Sequence, residues 1–252
     1  MTSIRKLVIS GLMIALVFIG TFSIRIPVPF TQGYIHAGDS MIFLSAVLFG
    51  WKTGALAGGI GSALADAMGY PHWIIPTLII KALMGAIIGL LCENRSDMKF
   101  RMIQGGLVGL LICLTTALRI YIPRLSANAV LSANDELSSI SEASSLIQNA
   151  TTNFLYILLF LVLSFMLFMI FKKKQHSTLI SINHYIAMII SGSFMVFGYY
   201  LAASLMYGSF VTPLFSIPSN VFQFTIGGGL ALILIVLIDK THGIDRLKSF
   251  CN

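Results

Sequence analysis

Charge is scarce in this sequence: only 10% of its 252 residues are Asp, Glu, Lys or Arg, while 57% are apolar. A soluble domain needs roughly a quarter of its residues charged to keep its surface hydrated, so a water-soluble globule is excluded. Cysteine is nearly absent too. Cys92, Cys113 and Cys251 are odd in number and widely spaced, which excludes a disulfide framework and a thiolate metal cluster. Also missing are HExxH, GxxxxGK[ST], GxSxG and the paired acidic motif of a lipid-linked transferase. Neither hydrolysis nor nucleotide binding has residues to carry it. The chain is therefore read as no enzyme, with no catalytic residue, no metal and no cofactor.

What is present is oil, with a mean hydropathy of +0.91. Apolar runs of about 18 to 24 residues separated by short polar breaks suit helices that cross roughly 30 Å of hydrocarbon. The net charge of +7 invites a nucleic-acid reading, but the placement of the basic residues excludes it. Alternating topology puts Arg5, Lys6, Lys52, Arg95, Lys99, Arg101, Lys172, Lys173, Lys174, Lys240, Arg246 and Lys248 on one side. Lys81 falls within the membrane, and only three basic residues fall on the other side. This is the positive-inside asymmetry, and it predicts a multi-pass protein of the cell membrane with both termini cytoplasmic. Arg5 and Lys6 before an apolar run resemble a signal peptide, but no small-residue cleavage site follows before Arg25. The segment is read as a retained first span.

The fold class predicted is all-α, a polytopic membrane helical bundle forming a single integral domain over residues 1–252, with about eight transmembrane helices. The first runs over about 4–24 and leads into an outer loop broken by Pro27, Pro29 and Gly33. A short second helix runs from Asp39 to Gly50, and a third, rich in Gly and Ala, follows from Thr53, its small residues allowing close backbone approach. Tyr70, Pro71, His72 and Trp73 make the next outer turn before a fourth helix through Lys81. Further helices are expected at about 104–122, 153–171, 184–207 and 218–238, with an extracellular Ser- and Asn-rich stretch at 124–150. The pair at about 104–172 reads as an inserted two-helix hairpin.

Ionisable groups inside a membrane point to a polar cavity, because each costs several kcal/mol unless paired or wetted. Asp66, near the outer end of its helix, and Lys81, about eight residues into the next, are placed to meet near the outer half, as a structural ion pair or as a ligand site. Asp39 opens the second helix, where it can cap free N–H groups or contact ligand. His36, His72 and Trp73 lie in outer turns, as interfacial or solvated residues or as ligand contacts. Asn220 and Gln223 share a face of the last helix behind Pro218, and their amides suit a heterocycle. Tyr199 and Tyr200 can stack on such a ring or simply pack. The substrate-binding set is therefore Asp39, Asp66, His72, Trp73, Lys81, Tyr199, Asn220 and Gln223. Gly11 and Ala15 form a small-xxx-small pair that lets another helix approach.

RKLVISGLMIALVFIGT, then GYIHAGDSMIFLSAVLFGWKTGALAGGIGSALADAMGYPHW with IIKALMG, and finally SIPSNVFQFTIGG resemble the substrate-binding S components of energy-coupling factor (ECF) transporters, the vitamin importers of bacteria and archaea. The resemblance covers about residues 4–93 and 184–238 and is nearest the branch that binds riboflavin, pyridoxine and hydroxymethylpyrimidine. It implies a six-helix core, substrate held toward the outer side under the first loop, and Gly11 and Ala15 facing a T component. It also implies a high-affinity binding subunit for a water-soluble vitamin or precursor, energised by a separate T component and two ATPase subunits. The hairpin at about 104–172 departs from the six-helix pattern. Two rivals stand beside this reading: a self-sufficient secondary transporter, which calls for inverted repeats with broken helices, and an intramembrane enzyme, which calls for a catalytic constellation.

Overall fold

The computed structural model describes residues 3–28, 33–92, 98–134, 137–174 and 182–240. Pro29, Arg95, Arg246, Lys248 and Cys251 lie outside the described residues. Helix α1 (Ser3–Phe22) leads into strands β1 (Ile26–Val28) and β2 (Gly33–Ile35), followed by helices α2 (Gly38–Phe49), α3 (Trp51–Ala67) and α4 (Ile74–Cys92). Then come α5 (Met98–Tyr121), the short α6 (Ala127–Ser132), α7 (Ile140–Lys174), α8 (Ile182–Tyr207) and α9 (Ile217–Lys240). Among the described residues, Ile4–Phe22, Pro71–Cys92, Ile140–Met166, Asn183–Tyr207 and Thr212–Lys240 are long and apolar enough to cross a bilayer. The chain is a helical membrane bundle.

Two helices fall short of a full crossing. At 1.5 Å per residue, α2 with its 12 residues reaches about 18 Å and α3 with its 17 about 26 Å, against about 30 Å of hydrocarbon. Gly50 joins them at φ 84°, a left-handed conformation that glycine takes without steric cost. Among the described residues, α3 and α4 make the most extensive helix–helix contact. A Cβ on Gly85 would stand 2.1 Å from the Gly54 carbonyl oxygen, and one on Gly89 would stand 2.3 Å from Trp51 Cα. These glycines let two backbones touch, as the small-residue pattern predicts.

Phe43, Met84, Ile88, Met195, Phe224 and Ala231 join α2, α4, α8 and α9 in one apolar core. A second cluster of Ile122, Val130, Phe154, Ile157 and Phe215 ties the far end of α5, α6 and α7 to the turn before α9. The sequence reading of 124–150 as a loop needs correction, because α6 and the first turns of α7 occupy much of it. Ser139 Oγ accepts from the Glu142 N–H (3.3 Å), and the Glu142 carboxylate accepts from the Ser138 N–H (2.8 Å). This reciprocal cap starts α7 well before residue 153. The first outer loop also holds structure that was not predicted. Ile26 pairs with Ile35 and Pro27 with Tyr34 in an antiparallel hairpin.

Candidate functional site

The chain ends of α1, α3 and α8 and the starts of α2, α4 and α9 meet at one end of the bundle, where the β-hairpin, the Pro71–Trp73 turn and the Thr212–Ser216 turn surround a cavity. The space between them, open solvent at the mouth included, is about 660 Å³. Five of the eight expected substrate residues line it: Asp66, Trp73, Tyr199, Asn220 and Gln223. Thr21, Tyr34, His36, Ser62, Thr77 and Tyr207 also line it, and only His36 among these was noted from sequence.

Asp66 and Lys81 do not meet. Tyr34 donates its hydroxyl to Asp66 Oδ1 at 2.5 Å, whereas Lys81 Nζ donates to Asp39 Oδ1 at 2.5 Å and to Met195 Sδ at 2.8 Å. The reason is register. Asp66 ends α3, and eight residues of α4 carry Lys81 about two turns below the mouth. Lys81 and Asp39 are both wholly buried, and neither lines the cavity. Asp39 does not cap α2 either, since Ala37 holds that position without a side-chain bond. His72 is exposed, set against the rings of Tyr70 and Trp73. Tyr200 donates to the Phe210 carbonyl at 3.2 Å, outside the cavity lining.

Gln223 stands between the cavity and the ion pair. Its Nε2 donates to Asp39 Oδ2 at 3.0 Å, and its Oε1 accepts the His36 backbone N–H at 3.2 Å. The amide orientation is therefore fixed. The Gly38 N–H donates to His36 Nδ1 at 3.1 Å, which leaves the ring proton on Nε2. Burial, reinforced by the Lys81 ammonium and opposed by the Asp39 carboxylate, pulls His36 down to about 3, so its ring is neutral. Gln223 Nε2 lies 3.3 Å from His36 Nε2. Donor thus faces donor, and the imidazole N–H has no acceptor in that amide.

The walls are aromatic. Trp73 meets Tyr199 edge-on at 5.6 Å and Tyr207 at 6.3 Å, while Tyr199 donates to Thr77 Oγ1 at 3.0 Å. Tyr34 stacks on Tyr70 at 4.7 Å. Arg25 lies over Phe22, Tyr34 and Tyr70 and donates to the Ala65 carbonyl at 2.6 Å, pinning the hairpin to the end of α3. Burial first, then the Asp66 carboxylate, pushes the Tyr34 phenol above its ordinary range and keeps it a donor. Three buried polar atoms on the lining have no hydrogen-bond partner among the described residues: Thr21 Oγ1, Ser62 Oγ and Trp73 Nε1. No group of metal-ligating side chains occurs among the described residues.

Gly11 and Ala15 lie apart from the cavity, exposed on α1, and nothing lies within 4 Å of a Cβ built on Gly11. Ile4, Leu7, Val8 and Leu12 are exposed beside them.

Residues 1–173 match the family model described as ECF-type riboflavin transporter, S component. An uncharacterized protein in the gap 3′ region of Pyrococcus woesei is 44% identical over 110 residues, which is 42% of this chain and 74% of that one. A UPF0397 protein of Streptococcus agalactiae serotype Ia is 31% identical over 94 residues, or 36% of this chain. The match spans half the length of that relative. The family match ends at the close of α7, so α8 and α9, which bring Tyr199, Asn220 and Gln223 to the cavity, lie beyond it.

Proposed function

Since the chain belongs to the ECF-type riboflavin transporter S component family, we propose that it is the high-affinity binding subunit for uptake of a water-soluble vitamin or vitamin precursor. A separate T component and two ATPase subunits supply the energy. The observation that carries this reading is the polar cavity under the hairpin, with Thr21, Ser62 and Trp73 buried on its lining and offering donors that no group among the described residues accepts. Each buried unmade hydrogen bond costs about 1–3 kcal/mol, and a bound heterocycle with acceptor atoms recovers that cost. Tyr34, Trp73, Tyr199 and Tyr207 supply ring faces for stacking.

The hairpin end faces outward in this reading. Arg5, Lys6, Lys52 and Lys240 gather at the opposite end, which the positive-inside rule assigns to the cytoplasm together with both termini. The T component docks on the exposed face of α1 around Gly11 and Ala15, where small residues allow close helix approach. Helices α1–α4 with α8 and α9 form the six-helix core, and α5 to α7 are an insertion against α8 and α9. Mass spectrometry of the small molecule released from purified, denatured protein tests the assignment. A water-soluble vitamin-like heterocycle, rebinding in calorimetry with submicromolar affinity, is the expected result. Release of lipid alone, with no rebinding of any vitamin, refutes it.

A further inference from the structure

The five-residue turn Thr212–Ser216 has two faces. Thr212, Pro213 and Ser216 line the cavity, and Asn220 continues that wall one turn into α9. A 3₁₀ segment this short is held weakly by its own hydrogen bonds, so its place depends on what packs against its other face. There the insertion stands. Phe215, 6% exposed, packs with Ile122, Val130 and Phe154. The Thr212 hydroxyl donates to the Ala133 carbonyl at 2.5 Å, a group left without an intrahelical partner where α6 ends. Farther along α9, Phe222 meets Phe160 of α7 at 5.4 Å. The support is itself anchored: the Ser126 hydroxyl accepts the Ala129 N–H at 3.2 Å to start α6, and the reciprocal cap of Ser139 and Glu142 starts α7. No described residue of α5, α6 or α7 lines the cavity.

From this back-to-back arrangement we infer that the α5–α7 insertion sets the wall of the binding cavity through the Thr212–Ser216 turn, and that Val130 and Phe154 are positioning residues for a substrate they never touch. On its cavity side the turn meets space, so the contacts of Thr212 and Phe215 with the insertion decide how far it stands from the opposite wall. Trimming the insertion leaves a gap that the turn moves to fill, carrying Pro213, Ser216 and Asn220 away from Trp73. The cavity then widens and water reaches the indole. An appendage that merely adds surface in the membrane would leave the cavity as it is. The inference concerns how the proposed binding site is built, and it rests on that reading only for its effect on retained substrate.

The test uses the full chain in detergent. The sequence has two tryptophans, and a Trp51→Phe background leaves Trp73, 8% exposed on the lining, as the one reporter. Acrylamide quenching of its fluorescence reads how open the cavity is and needs no identified ligand. Val130→Ala and Phe154→Ala are expected to raise the quenching constant about twofold or more, through the gap that a lost buried side chain leaves. Phe154→Leu, which keeps most of the volume, returns it most of the way. Ile88→Ala, wholly buried in the other core, is the control: it lowers the melting temperature and leaves quenching as in the background. Unchanged quenching in both insertion variants, or an equal rise in Ile88→Ala, overturns the inference; if Phe154→Ala does not fold, Val130→Ala decides alone. A second readout is the small molecule that co-purifies per chain, measured by mass spectrometry, which falls in the insertion variants and not in Ile88→Ala. Retention equal to that of the background in both insertion variants overturns the positioning role. A background protein that carries no small molecule counts against the binding function, while quenching still decides what the insertion does.

Discussion

Lys81→Met tests what holds the floor of the cavity. The ammonium is wholly buried, 2.5 Å from Asp39 Oδ1 and 5.5 Å from the Tyr199 ring centre. Methionine has similar length and no charge, so the packing change is small and the loss is electrostatic. It leaves the Asp39 carboxylate buried with Gln223 as its donor. Breaking a buried ion pair from one side costs about 3–5 kcal/mol, which for a chain of this size lowers the melting temperature by about 6–20 °C. Removing both charges in Asp39→Asn/Lys81→Met restores most of that loss, because the penalty belongs to the orphaned charge rather than to the absence of the pair. Melting of the wild type, both single variants and the double variant in one detergent reads the effect. A Lys81→Met protein that melts with the wild type, or a double variant no more stable than the single ones, refutes the reasoning. A deficit that widens when ligand is added would instead give Lys81 a direct ligand contact, because the variant would gain less stability from binding than the wild type.

Three further outcomes are expected. His36 takes up a proton at its ordinary value of 6.5 when unfolded but only near 3 when folded. Stability therefore falls as pH drops from 6.5 toward 3, by up to about 1.4 kcal/mol per unit, and His36→Asn should flatten the melting profile over that window. Gly85→Leu forces a side chain against the Gly54 carbonyl and should cost about 1–3 kcal/mol or more, whereas Gly105→Leu, with nothing within 4 Å of its Cβ, should melt like the wild type. Gly11→Trp should leave stability within about 0.5 kcal/mol but prevent co-purification with the energising subunits, and undiminished recovery of that complex would remove the α1 docking face.

The helices were legible because the apolar runs are long and their breaks carry Gly, Pro or charge. Asp66, Trp73, Tyr199, Asn220 and Gln223 could be placed near one end because each sits within a few turns of a predicted outer turn. Pairing was not legible. Asp39, Asp66 and Lys81 present one cation and two carboxylates, and only the relative depth of α2, α3 and α4 decides which carboxylate receives the ammonium. Tyr34 was missed because its role depends on a hairpin of three-residue strands, too short to show alternation. Thr21, Ser62 and Thr77 read as ordinary helix residues until the helices are assembled around them. The early start of α7 had a visible signal, Ser139 followed three residues later by Glu142, which the polar composition of 124–150 outweighed.

The short helix α2 has a consequence for biosynthesis. At about 18 Å it cannot cross the bilayer alone, and it carries Asp39 in its first turn. Its counter-charge lies 42 residues downstream, so at about 5–20 residues per second the ribosome needs about 2–8 s to deliver Lys81 after Asp39. During that interval the carboxylate has no place in lipid. The α2–α3 unit must wait at the interface or beside the insertion machinery until α4 arrives, and the ion pair then acts as the latch that draws α2 in. A defect at either charge should accordingly appear first as degradation of newly made chains, before any loss of substrate binding by those that mature.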